Sequence, residues 1–252
     1  MALNGKVCVI TGGGSGIGLA AARIMAAKGA KIVLVGRTES KLAEACGLIR
    51  SSGGSAEPHA GDVADRDAMR TLATAVMERF GKIDVLVNNA GHSSFHRKLL
   101  STTPEEIQAV MNSNLVGTIY CSQAVVPHML EAGEGTIINV ASMAGVSPGM
   151  LGGMIYSAAK AAVINLTTFC NSEFVNSGLR FSVVIPGEVD TPILDNRPIP
   201  PSAEARRGMA GAEEVGEAIA MIAGLPPRTN IPELIIRPTY HRDASAETSR
   251  FE

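Results

Sequence analysis

Tyr156 and Lys160 stand four residues apart in a stretch with helical apolar spacing, so the two side chains share a helix face and an ammonium can lie beside a phenol. Ser142, at the end of an apolar β-type run, can donate its hydroxyl hydrogen to the same small-molecule oxygen that the phenol reaches. With Asn114 these form the candidate catalytic set, and the chemistry they suit is proton exchange with an oxygen while a hydride moves at carbon. An ordinary phenol titrates near pH 10, so ionising it at neutrality takes about 4 kcal/mol of anion stabilisation, of which one adjacent cation supplies roughly 1 to 4. The rest is expected from a second positive charge, the oxidised ring of a nicotinamide. Taken singly, Tyr-x-x-x-Lys is also a common helix-surface pattern and serine also ends many strands; the combination is what points to a reaction.

A place for that ring is visible at the amino terminus. The first β-type run passes directly into Thr11-Gly12-Gly13-Gly14-Ser15-Gly16-Ile17-Gly18 and then into a helical pattern. Glycines there let the backbone turn tightly, approach a pyrophosphate and pack helix on strand, and the helix amino terminus favours negative charge. Glycine-rich turns also occur for steric reasons alone; the position after the first strand favours a dinucleotide. The second strand ends in Val35-Gly36-Arg37-Thr38, with no acid before Glu39 to hold a ribose 2′-hydroxyl. Arg37 can pair with a 2′-phosphate, which makes NADP(H) the preferred cofactor and leaves NAD(H) as the other possibility; a solvated turn arginine is the alternative. Asp62 and Val63, after the third strand, can hold and cover an adenine, or Asp62 can cap the next helix.

Positioning these residues requires alternating elements. Short β-branched runs lie at 6–11, 31–35, 55–59, 83–87, 136–140, 180–185 and 233–237, separated by helical patterns at 17–28, 39–51, 66–80, 104–130, 155–175 and 212–223. Strands joined by helix-length crossovers imply a doubly wound α/β Rossmann fold, with a mostly parallel seven-stranded sheet between helical layers. Gly29, Gly81, Gly133 and Gly178 read as helix stops. No repeat or linker divides residues 1–252, which read as one NAD(P)-binding domain with a substrate lid at about 188–210 and a poorly ordered polar tail at 241–252.

A formal net charge of -2 and a pI near 6.2 give no reason to invoke nucleic acid or an anionic membrane surface. Cys8, Cys46, Cys121 and Cys170 form no Cys-x-x-Cys pair, so neither disulfide nor metal is expected, and the compartment reads as cytoplasmic. No signal peptide is read at the amino terminus, and the uncharged stretch 135–159 is interrupted by Asn139, Ser142, Ser147, Pro148 and Gly152-Gly153, which makes it two elements and a loop rather than a membrane span. Met143, Met150, Leu151 and Met154 could line an adaptable apolar wall or be ordinary packing. His92 and His96 read as loop residues with at most a substrate contact.

The sequence resembles the short-chain dehydrogenase/reductase family. The motifs run from Thr11-Gly12 with Gly16-Ile17-Gly18, through Asn88-Asn89-Ala90-Gly91, Asn114, Ser142 and Tyr156 with Lys160, to Pro186-Gly187 with Val189 and Thr191. The resemblance implies a carbonyl or secondary alcohol as substrate, a cofactor site that includes Asn89, Ala90, Gly91, Pro186 and Gly187, and a homotetramer or dimer. It implies that Lys160 also holds the nicotinamide ribose, that Asn114 supports a water chain, and that Val189 and Thr191 contact the carboxamide. Two departures stand out: the interval from Ser142 to Tyr156 is one residue longer than usual, which reshapes the loop 143–155, and residues 231–241 lack the ending of the family's acyl-carrier reductases. A non-catalytic dinucleotide sensor is the alternative function, disfavoured by the intact set Asn114, Ser142, Tyr156 and Lys160. A sugar-nucleotide epimerase needs an extra carboxyl-terminal substrate domain for which this chain is too short.

Overall fold

The computed structural model describes residues 3–248. Seven strands form one sheet in the order β3-β2-β1-β4-β5-β6-β9, and every neighbouring pair is parallel. They are β1 (Val7–Thr11), β2 (Lys31–Gly36), β3 (Ser55–Ala60), β4 (Val85–Asn88), β5 (Gly135–Val140), β6 (Leu179–Pro186) and β9 (Glu233–Ile236). The doubly wound fold expected from the alternation is the one observed. The order in which the chain adds strands reverses between β1 and β4, and such a switch point leaves a crevice at the carboxyl ends of the strands.

Because helices cover both faces, the inner strands are buried on both sides and read as uncharged, largely apolar runs: all of β1 and all of β5 are buried. Their alternate side chains go to different layers. Cys8 and Ile10 pack with Met25 of α1 (Gly16–Ala27), Leu42 of α2 (Glu39–Ser51) and Val215 of α8 (Ala212–Ala223). Val7 and Val9 pack with Leu72 of α3 (Arg66–Phe80) and Val125 of α5 (Gly117–Ala132).

Caps set several helix ends. Asp65 accepts hydrogen bonds from the Asp67 and Ala68 amides at the start of α3, and Gly81 and Gly133 close α3 and α5 at φ 74° and 71°. Gly178 does not act as the stop expected of it. Helix α6 (Met154–Glu173) ends five residues earlier, and Gly178 sits where an added Cβ would meet the Gly133 carbonyl oxygen at 1.9 Å. The single helix expected over 104–130 is also interrupted: α4 (Pro104–Met111) and α5 are joined by one π-helical turn, Asn112–Val116.

The segment after β6 holds a two-residue strand pair, β7 (Val189–Asp190) with β8 (Ala210–Gly211), a 3₁₀ turn at Pro192–Asn196 and the short α7 (Ala203–Arg206). Residues 241–248, expected to be poorly ordered, instead fold back on the body and end in α9 (Ser245–Thr248), with Glu247 buried; the rest of the proposed tail, 249–252, lies outside the described residues. The reason is charge pairing: Arg242 binds both Glu188 and Glu247. The four cysteines are unpaired thiols, and among the described residues no helix is long and apolar enough to cross a membrane.

Candidate active site

The carboxyl ends of β1, β4, β5 and β6 open onto two adjoining cavities. The smaller, about 180 Å³, is lined by Gly12, Ser15, Arg37, Thr38, Asp62, Val63 and Ala90. The larger, about 600 Å³, is lined by Ile17, Asn89, Asn114, Ser142, Tyr156, Lys160, Pro186, Gly187, Val189 and Thr191. Gly91 borders both. The residues singled out in the sequence are therefore brought together, with two exceptions that serve the frame. An added Cβ on Gly18 would lie 2.5 Å from the Gly12 carbonyl oxygen, and one on Gly16, at φ 52°, would press on Thr191 at 3.4 Å.

The smaller cavity places the basic residues Arg37 and Lys41 beside the glycine turn. Thr11 Oγ1 accepts hydrogen bonds from the Asn89 and Ala90 amides at 3.0 Å each, tying the glycine turn to the end of β4. Gly12, at φ 64°, lets the turn pass so close that an added Cβ would meet Asn89 Nδ2 at 2.9 Å. Ser15, at the amino end of α1, is extended, lines the groove and makes no side-chain cap bond, and the first turn has no acid. Arg37 is exposed and makes no ion pair among the described residues. Lys41, on the first turn of α2, lines the same groove and was not singled out in the sequence, although a basic residue four positions after Arg37 was the available signal. Asp62 accepts from the Ala64 amide at 3.0 Å and so closes its own turn, while the helix cap is Asp65.

At the larger cavity, α6 presents Tyr156 and Lys160. Lys160 is buried and donates to the Val140 carbonyl at 2.8 Å, with its Nζ 5.7 Å from the Tyr156 ring centre. Burial pushes its ammonium down to about 8. Ser142 Oγ accepts from the Ala144 amide at 3.2 Å and lines the same cavity as Tyr156. Burial raises the phenol above its ordinary range, against the Ser142 hydroxyl and the positive charges of Arg197 and Arg97. Both groups are held toward neutrality by burial, and the cations that oppose this at the phenol are Arg197 and Arg97 rather than the Lys160 amine expected from the sequence.

Asn114 sits in the π-turn, 1% exposed, with Nδ2 donating to the carbonyls of His92 and Val110 at 3.0 and 2.9 Å. Its Oδ1 is buried without a partner, and a Cβ on Gly91 would meet that oxygen at 2.4 Å and Lys160 Nζ at 3.6 Å. An unpaired buried acceptor is a place for a water.

Of the apolar wall, Met143, Met150 and Leu151 line the cavity, whereas Met154 packs beside Val110 and Ala159. His92 borders the smaller cavity with Nδ1 2.9 Å from Ser113 Oγ, and His96 is held by Glu106 at 2.7 Å. The far wall was not legible in the sequence. It is a closed ion network in which Arg197 meets Glu188 and Glu247 at 3.2 Å each and Arg242 grips Glu188 through Nε and Nη2 at 2.8 and 2.7 Å.

The fold and this cleft are those of a nicotinamide-type Rossmann oxidoreductase, and comparison with known proteins agrees. The family model described as short chain dehydrogenase matches residues 6–199, so the chain belongs to that family and is an enzyme. An uncharacterised oxidoreductase of Staphylococcus epidermidis is 33% identical over 92% of this chain and 97% of its own length. A 3-oxoacyl-[acyl-carrier-protein] reductase of Thermotoga maritima is 36% identical over 79% of this chain and 80% of its own. Among solved structures, a metagenomic short-chain oxidoreductase in complex with NADP superposes with a TM-score of 0.83 at 33% identity, covering 96% of this chain and 100% of that one.

Proposed function

We propose that this oxidoreductase transfers hydride between NADP(H), in preference to NAD(H), and a carbonyl or secondary alcohol, with Tyr156 as the proton-exchanging group. The observation that supports it most is that Tyr156, Ser142, Lys160 and Asn114 line one cavity, which adjoins the glycine-turn groove at Gly91.

The glycine turn fits a dinucleotide: Gly12, at φ 64°, and Ser15 line the groove, Gly18 lets α1 pack against the Gly12 carbonyl, and no side chain caps the α1 amides against a pyrophosphate. Arg37, Thr38 and Lys41 would hold a 2′-phosphate, Asp62 and Val63 the adenine, Lys160 a ribose, and Val189 with Thr191 the carboxamide. The bound nicotinamide supplies the hydride donor or acceptor. In the reductive direction the Tyr156 hydroxyl gives its proton to the substrate oxygen while Ser142 donates a hydrogen bond to that same oxygen. Lys160, brought to about 8, exchanges protons near neutrality, and a water on Asn114 Oδ1 would relay them onward. Met143, Met150 and Leu151 give the substrate an apolar wall.

The test is a panel of carbonyls and alcohols followed at the reduced-nicotinamide absorbance band, with each dinucleotide titrated by fluorescence. NADPH-dependent turnover of at least one panel member is expected. Tight dinucleotide binding with no turnover across the panel is the behaviour of a sensor and contradicts the proposal.

A further inference from the structure

Arg97 lies between β4 and α4 and is 3% exposed. It grips the chain just ahead of Tyr156 from both its side chain and its backbone. Nη1 donates to the carbonyls of Leu151 and Gly152 at 2.7 and 2.6 Å, and its own carbonyl accepts from the Met154 amide, the first of α6, at 3.0 Å. Ser94 Oγ adds a bond to the Gly152 carbonyl at 3.4 Å, and Gly153, at φ 75°, has no room for a Cβ because Arg97 Cδ would be 2.6 Å away. This clamp falls in the loop that carries the extra residue between Ser142 and Tyr156.

The charge matters as much as the clamp. Arg197 and Arg242 are closed on Glu188 and Glu247, His96 is closed on Glu106, and Lys160 points at the Val140 carbonyl. Arg237 and His241, the other basic groups on the cavity wall, contact each other at 3.4 Å. Arg97 has no carboxylate within ion-pair distance among the described residues, and its Nη2 is buried with no partner. A buried guanidinium bound only to carbonyls is costly to keep, and an anion forming within reach would offset that cost.

We propose that Arg97 is a positioning residue: it fixes the start of α6 through Leu151, Gly152 and Met154 and holds, at the chain leading into Tyr156, a positive charge reserved for the phenolate. The electrostatics agree in both directions. Burial lowers the Arg97 guanidinium to about 10, and Arg197 adds to that, while Glu106 and Tyr156 oppose it. For Tyr156, burial raises the phenol, and Arg97 is among the groups that bring it down. The inference rests on Tyr156 being the proton-exchanging group.

The chain has 3 tyrosines and no tryptophan, so tyrosinate absorbance can be titrated cleanly. The NADP⁺-saturated protein is titrated over the pH range in which circular dichroism shows an intact fold, and the Tyr156 signal is isolated by subtracting Tyr156→Phe. Arg97→Gln keeps an N–H donor for the carbonyls but loses the charge; Arg97→Lys keeps the charge and loses the fork. We expect the Tyr156 midpoint to move upward in Arg97→Gln, with phenolate at neutral pH reduced about tenfold, and to stay near wild type in Arg97→Lys. An unmoved midpoint in Arg97→Gln, or an equal displacement in Arg97→Lys, overturns the proposal. If Tyr156→Phe itself retains turnover, the assignment of Tyr156 fails, whatever the Arg97 variants do.

Discussion

Lys160→Met should make the unliganded protein more stable while removing its activity. The Lys160 ammonium is buried and brought from 10.5 to about 8 by desolvation. That interval of about 2.5 pH units, at about 1.36 kcal/mol each, means that folding disfavours the charged amine by about 3 kcal/mol. Methionine has similar length and no charge, but it abandons the 2.8 Å bond to the Val140 carbonyl, a loss of about 1 kcal/mol. The net gain is about 2 kcal/mol below pH 8, or roughly 4 to 8 °C in Tm for a chain of this size. The sign depends on pH in a defined way. Because the folded value is depressed, the penalty is complete below about 8, shrinks as pH rises, and is gone above 10.5. Differential scanning fluorimetry from pH 6.5 to 10.5 should therefore show the variant melting higher at neutral pH and the two curves converging, then crossing, in alkali. A variant that melts lower at pH 7, or a gap that does not close with pH, would refute the claim that this lysine is kept at the expense of stability.

Other perturbations test other walls of the site. Arg37→Glu should weaken NADPH binding about 10- to 100-fold in a fluorescence titration and leave NADH nearly unchanged, since a charge-assisted contact to the 2′-phosphate is replaced by repulsion; equal losses for both dinucleotides would remove Arg37 from cofactor selection. Gly91→Ala should lower stability by about 1 to 3 kcal/mol and displace Asn114, whose Oδ1 would meet the new methyl at 2.4 Å, whereas Gly149→Ala, with nothing within 4 Å, should be neutral. Arg242→Ala leaves Glu188 and Glu247 short of a partner and should cost about 3 kcal/mol, read as a Tm lower by roughly 6 to 12 °C; an unchanged Tm would mean that the folded-back tail contributes nothing to stability.

Much of the frame was legible because parallel strands buried on both faces write themselves as uncharged, largely β-branched and apolar runs, as Val7–Thr11 and Gly135–Val140 do. The catalytic candidates were legible because Tyr156 and Lys160 are one helical turn apart and the glycine turn is contiguous. What escaped depends on partners distant in sequence. The π-turn that presents Asn114 follows from the packing of the α4–α5 junction against α6, not from a local pattern. Arg97 is an ordinary loop arginine until Leu151 and Gly152 fold over it, and Arg242 is a polar tail residue until Glu188, 54 positions away, meets it. Gly178 reads as a helix stop, yet its contact is with Gly133 across a neighbouring turn.

The central claim is that one phenol moves the proton. Single-turnover hydride transfer by Tyr156→Phe, measured with saturating NADPH and the best carbonyl substrate from the panel, tests it most directly. The account predicts a rate lower by about 10² to 10⁴ with NADPH affinity essentially unchanged; a variant that retains more than about a tenth of the wild-type rate would contradict it.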